Sequence, residues 1–398
     1  MRTPRLITVG LLIVLLASVE MVFCARSWAG SYESIGGLYA LGRVDEKILA
    51  NPNVDGLTLR FWWNKIEPTE GQFNWTAVDR DIAKARAHGK KVSITVAAGY
   101  GTPAWVYAAG AVPFKFSWSK VWGPPLCSQQ NLPVPWDPVY LSKWRAFVHQ
   151  MGMRYDSNPT VVLIKITGVN GGTGETNLPR MRSKTIERGG QSCTVSDDLA
   201  EWQRVGYTPE NLIHGWKAIA EAFSQSFPHK KISIMTGPHA LPVLGAGGRP
   251  ERLGRRGRRR RQEEEEDGED DGGAGGGGGG GRDISVELIR EGINSFDGQF
   301  VVQNNALSAF FIWPEVQRAS SRVSTGYQML WNATNDKSCR MTHKVRPCDP
   351  LPTLKTAIDK GLGAGAQFLE IYDADIVNPQ LQGLIAQTHA RLRSGAAR

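Results

Sequence analysis

Two periods of hydrophobicity alternate along this chain. Leu57, Leu59 and Phe61 interleave with Thr58, Arg60 and Trp62, and Val92, Ile94 and Val96 with Ser93, Thr95 and Ala97. A period of two predicts strands. Between them Val78, Ile82 and Ala85 recur at helical spacing, and Gly89 stands where a helix should stop. Val54 to Gly99 therefore reads as strand, aromatic loop, helix, strand. The alternation of strands and helices continues, with strands predicted at Val54–Trp62, Lys91–Ala97, Val161–Thr167, Lys231–Met235, Gln299–Gln303, Gly326–Trp331 and Ala366–Tyr372, and Ile35–Tyr39 is a weak candidate for the first of eight. Asp137-Pro138 and Thr208-Pro209 open helices in the same way, with a capping side chain followed by proline at the first helical position. Strands that alternate with helices predict an α/β fold with a parallel sheet. Eight strands suit closure into a (β/α)8 TIM barrel. The rival is an open doubly wound sheet, but no Gly-x-Gly-x-x-Gly turn follows the first strand.

Parity assigns the faces. Strands buried on both sides usually run apolar throughout; a polar parity here implies helices over one face and a barrel interior on the other. Leu369 and Ile371 go to the helices, so Phe368, Glu370 and Tyr372 point inward. Val162, Ile164 and Ile166 go to the helices, so Lys165 and Thr167 point inward, and Arg60 and Gln328 join them. Unpaired buried charge is expensive. Such an interior is either a site or an ion-pair network that stabilises the barrel.

The run WWNKIEPTEGQFNW, Trp62 to Trp75, with the helix after it and GKKVSITV, resembles the second unit of the retaining (β/α)8 glycoside hydrolases, the cellulase and β-galactosidase superfamily. Arg60 inside the strand and the segment Trp63 to Trp75 carry the likeness, which extends more thinly from Ile35 to Pro379. It implies one barrel, over 30–395, that cleaves O-glycosidic bonds of a glycan by retaining double displacement. That chemistry needs two carboxyl groups about 5–5.5 Å apart, one protonated and one ionised. Glu175, after the fourth strand in ITGVNGGTGETNLP, takes the acid/base role, with Gly171, Gly172 and Gly174 allowing a tight turn. Glu370 takes the nucleophile role, with nearby cations favouring its ionised form. Asp373 and Asp375 are the reserve carboxylates.

Two departures keep a carbohydrate-binding barrel without hydrolysis as the alternative. The superfamily places Asn and Glu side by side, whereas Asn170 and Glu175 are five residues apart. Its nucleophile ends strand seven, where this chain has Gln328. Trp62, Trp63, Trp105, Trp331 and Tyr372 are candidate platforms for sugar rings, with Trp122 and Trp136 behind them. Lys165, Asn170, Gln303, Asn304, Asn305 and Gln328 are candidate partners for hydroxyls, Gln303 to Asn305 at the end of the sixth strand. Glu67 in the I-E-P turn and His239 are expected to hold loops.

The chain has 398 residues, and a barrel takes about 250 before insertions. Arg2 and Arg5 precede the apolar run Leu6–Val19, so 1–25 reads as a signal peptide and the protein as secreted. Four of the five cysteines remain after such a signal. Cys339 with Cys348 flanks a short loop, which leaves Cys127 with Cys193, and both pairs suit an oxidising compartment. The net charge of +9 does not imply nucleic acid. Eight arginines at Arg249–Arg261 face nine carboxylates at Glu251–Asp271, and no basic aromatic motif occurs. With the glycine tract that follows, 245–282 has the composition of a disordered insertion in the barrel. Cysteine and histidine spacing suggests no metal, and no cofactor motif is present. The expected partner is a carbohydrate substrate, without nucleic acid and without a membrane span beyond the signal; the oligomeric state is not legible.

Overall fold

The computed structural model describes residues 32–120, 123–188, 190–244 and 283–395. The segments read as signal peptide and as disordered insertion lie outside the described residues. Eight parallel strands form a closed barrel: β1 Gly37–Leu41, β2 Gly56–Trp62, β3 Lys91–Ala97, β6 Val161–Ile166, β9 Lys231–Thr236, β10 Phe300–Leu307, β11 Ser324–Met329 and β12 Phe368–Tyr372. Each overlaps one of the predicted strands. β1 pairs with β12, Gly37 opposite Phe368, so the ring closes and the open sheet is excluded. The other four strands form hairpins outside the ring, β4 Pro113–Ser117 with β5 Gln129–Pro133, and β7 Lys184–Arg188 with β8 Gln191–Val195.

The helices pack their apolar stripes on the outside of the ring. Asp137 accepts from Tyr140 N at 2.8 Å at the start of the helix Pro138–Tyr155, which buries Trp144, Phe147, Val148 and Met151. Thr208 does the same for Asn211 N at 3.0 Å before Pro209–Ser226. Proline costs nothing in that first turn, where its missing N–H has no partner to lose.

Inside, side chains from alternate strands stack in layers, the usual way a (β/α)8 barrel fills its interior. At the N-terminal end Tyr39, Val162, Leu163, Val301 and Phe368 form a buried apolar plug with Ile35. Gly56 is required there, because a Cβ would run into the Tyr39 ring. Two residues further along β2, β6, β10 and β12 come Thr58, Lys165, Gln303 and Glu370, a layer of polar groups that are at most 2% exposed. Another two residues along β2, β10 and β12 are Arg60, Asn305 and Tyr372, which face a cleft at the C-terminal mouth.

Parity failed at one position. Val162 was assigned to the helices but lies in the interior plug. The ladder shifts between Val92↔Val161 and Ser93↔Leu163, so β6 carries one extra residue at this point. A bulge inserts a residue that no two-residue period contains.

Candidate active site

The cleft has a volume of about 510 Å³, within the range of small-molecule sites. Its floor is the end of the barrel, and its walls come from the first strand of the β4–β5 hairpin and from the loop after β6. Glu175 sits on that loop. The loop is fixed by Thr176 N donating to Met235 O at 2.7 Å and by Gly171 N donating to Asn177 O at 2.9 Å. Thr236 adds a hydroxyl bond to Thr176 O at 3.1 Å. Gly174 lies over β3, where a Cβ would strike the Thr95 methyl. The glycines of this loop therefore matter through space; Gly171, Gly172 and Gly174 are not among the residues with positive φ.

Glu175 Oε1 accepts from Arg60 Nη2 at 3.2 Å and from Asn305 Nδ2 at 2.9 Å. Arg60 also donates to Gln328 Oε1. Glu175 Oε2 is buried and has no hydrogen-bond partner among the described residues. Aromatic side chains dominate the walls, with Trp62 and Phe116 on one side and Trp331 and Tyr372 on the other. Trp331 and Tyr372 pack with ring centres 5.8 Å apart at a tilt of 52°, and the guanidinium of Arg340 lies 4.6 Å from the centre of the Trp331 ring.

Seven of the predicted site residues thus meet in one cleft: Arg60, Trp62, Glu175, Asn305, Gln328, Trp331 and Tyr372. The others do not. Glu370 is sealed in the layer below. Its Oε1 accepts from Lys165 Nζ at 2.6 Å and from Thr58 Oγ1 at 2.8 Å, and its Oε2 from Gln303 Nε2 at 2.8 Å. Burial alone would push its carboxyl up, but Lys165, then Arg60, and the Thr58 hydroxyl overrule that and hold it below the usual carboxylate range. Burial pulls the Lys165 ammonium down, opposed by Glu370. As placed, Glu370 has no open path to an anomeric carbon, and Lys165 and Gln303 have none to a sugar hydroxyl. Inward parity was right; the depth was one layer too great.

The remaining assignments resolve into structural roles. Asn304 gives its amide to Thr236 O at 3.0 Å and accepts from Ala306 N at 3.1 Å, which satisfies the backbone at a register shift in β10. Asn170 braces its own loop, accepting from Gly168 N at 3.0 Å and donating to Thr173 O at 2.6 Å. Trp63 is fully buried, and its indole donates to Glu67 Oε2 at 2.8 Å. Trp105 donates to Glu67 O at 3.1 Å and packs edge-on to Trp63. Glu67 thus holds the I-E-P turn, and burial pushes its carboxyl up against the bonds from Gly71 and Trp63. Trp136 packs against Trp202 and Tyr207, and Trp122 lies outside the described residues. Asp373 accepts from the backbone and guanidinium of Arg43 at the rim, while Asp375 is buried under Ala333 N and Thr334 N. Neither lines the cleft. His239 is half exposed and carries positive φ, in keeping with a loop role.

Both expected disulfides are present, Cys127–Cys193 and Cys339–Cys348. The first joins the two hairpins beside the cleft. Sequence reasoning passed over Phe116 and Trp118, although the alternation Phe114, Phe116, Trp118 is a strand signal. It also passed over Thr95 as a cleft residue. No group of metal-ligating side chains occurs among the described residues.

A family model for β-galactosidases of glycoside hydrolase family 42 matches residues 44–174, about a third of the chain, ending one residue before Glu175. No curated protein matches. Among solved structures, xylanase B from Clostridium stercorarium F9 is similar at 12% identity and a TM-score of 0.37, over 73% of this chain and 70% of that one. A psychrophilic family 10 endo-β-1,4-xylanase is similar at 10% identity and 0.39, over 86% and 87%. Likenesses this loose add nothing to the topology seen directly. The chain is a closed (β/α)8 barrel whose segment 44–174 is similar to the β-galactosidases of glycoside hydrolase family 42.

Proposed function

We propose that this barrel hydrolyses glycosidic bonds, with Glu175 transferring the proton. One observation carries the reading. Glu175 lines the cleft with one oxygen anchored by Arg60 and Asn305 and the other, buried, without a partner among the described residues. A proton donor must reach the leaving oxygen in this way. Trp62, Trp331 and Tyr372 give the apolar surfaces on which a sugar ring can rest.

The double displacement implied by the resemblance needs a nucleophile under the ring, and the enclosure of Glu370 argues against that residue. Tyr372 takes the cleft-facing place on β12, and Gln328 takes it on β11. Asp198 is the other carboxylate lining the cleft. We therefore favour attack by water, with Asp198 as the candidate base and inversion at the anomeric carbon. The same enclosure supports the second reading, a sugar-binding barrel without turnover. The two disulfides and the N-terminal composition support a secreted protein with its signal in 1–25 and one catalytic barrel over 30–395. No helix among the described residues is long and apolar enough to cross a membrane.

The test is a panel of aryl glycosides and soluble polysaccharides, with the anomer released followed by NMR. Turnover that Glu175→Gln removes supports the hydrolase, and an inverted product supports water attack. Sugar binding without turnover leaves the second reading.

A further inference from the structure

Three buried polar atoms that lack a hydrogen-bond partner among the described residues line the same cleft: Thr95 Oγ1, Glu175 Oε2 and Asn305 Oδ1. Each such atom is expensive to bury unpaired. Their gathering in one place is a property of the floor, since Thr95 lies under Gly174 and Asn305 bonds the carboxylate of Glu175.

The polarity of two of the three atoms is fixed. Asn305 turns its NH2 toward the carboxylate oxygen at 2.9 Å, because the reverse orientation would oppose two acceptors. Its carbonyl oxygen is thereby left as an acceptor without a partner among the described residues. Glu175 Oε2 accepts when ionised, and the Thr95 hydroxyl can do either. The complement is a group rich in donors. An ammonium would meet the guanidinium of Arg60, which already stands 3.2 Å from Glu175 Oε1. A neutral ring bearing hydroxyls meets no such repulsion and suits the aromatic walls.

We infer that Thr95 and Asn305 form a hydroxyl-reading subsite beside Glu175, selecting a neutral sugar by one ring hydroxyl donated to Asn305 Oδ1 and adjusted by Thr95. This rests on the glycan reading above but assigns two residues that the motif match does not. It also explains why the amide beside the acid comes from β10 rather than from Asn170, whose side chain is spent on its own loop.

The experiment measures binding by calorimetry in the Glu175→Gln background, so that turnover is irrelevant. The probes are methyl glycosides of xylose, glucose, galactose and mannose, with the monodeoxy forms of whichever binds. With Thr95 and Asn305 intact, loss of one particular hydroxyl should weaken binding about tenfold. In Asn305→Ala the parent sugar should bind about tenfold more weakly and that deoxy sugar should be penalised no further. Thr95→Val, whose shape is conserved, should reduce the same preference. A deoxy penalty unchanged in both variants overturns the subsite, as does failure of all four sugars to bind. Discrimination that follows Asn305 in a protein whose wild type hydrolyses nothing keeps the subsite and removes the hydrolase.

Discussion

Lys165 Nζ and Glu370 Oε1 stand 2.6 Å apart at the centre of the barrel, with neither side chain exposed. Breaking a buried pair by removing one charge commonly costs about 3–5 kcal/mol, because the survivor is left unpaired. Glu370→Gln should therefore lower stability by about that amount in chemical denaturation. Replacing both residues with methionine should recover much of the loss. A Glu370→Gln protein as stable as the parent would show that the pair is not closed in solution.

The pair also sets an acid limit. The folded carboxyl of Glu370 lies below its ordinary value, so the stability it contributes is complete above the unfolded pKa of about 4.3. It drains away as pH falls through the lower, folded value. Stability measured from pH 6 down to 3 should fall in the parent, and this part of the fall should be missing in the double methionine variant.

Glu175→Gln should reduce turnover by about 10²–10⁴-fold while leaving the melting temperature nearly unchanged, since an amide oxygen can still accept from Arg60 and Asn305. The loss should depend on the leaving group. A nitrophenolate needs little protonation, so a nitrophenyl glycoside should suffer far less than a disaccharide. Equal losses on both would argue that Glu175 only binds.

Gly174→Ala tests how the acid is held. Its methyl would collide with Thr95 Cγ2, so the loop must lift. Overpacking of this kind typically costs about 1–3 kcal/mol. Turnover should drop more than tenfold, since small misplacements of a catalytic group are costly. Thr95→Ser, which removes the obstructing methyl, should restore part of the activity of Gly174→Ala.

The Cys127–Cys193 bond ties the cleft wall to the second hairpin. Cys127 N donates to Trp118 O at 2.6 Å and Trp118 N to Ser128 O at 2.9 Å, so the position of Trp118 follows that of the disulfide. Ser117 and Ser196 bond each other alongside. Paired Cys127→Ser and Cys193→Ser substitutions should raise KM several-fold, roughly the signature of lost binding surface, with kcat little changed. A fall in kcat with constant KM would place the effect at Glu175 instead.

β2, β3 and β9 were legible from a clean two-residue period, β6 as an apolar run and β1 only weakly, and the inward face of β12 was legible too. Depth was not. Periodicity says that Glu370 and Tyr372 share a face, but only the stacking of layers says which of them meets the cleft. The bulge at Val162 was invisible for the related reason that an extra residue leaves no mark in an apolar run. Asn170 and Trp63 bond and pack against their own turns, a placement that the loop motif alone does not reveal. Gln303, Asn304 and Asn305 were singled out together, and what separates Asn305 from the other two is purely positional.

The central polar layer also has a history in time. Thr58, Lys165, Gln303 and Glu370 reach the ribosomal exit in that order, and 205 residues separate Lys165 from its carboxylate. At about 5–20 residues per second, the ammonium exists for roughly 10–40 seconds before its counter-charge has been made. During that interval any closure around Lys165 would strand a buried charge, which is costly. The last strand delivers both the missing edge and the missing charge, which makes completion of the chain the event that commits the barrel to close.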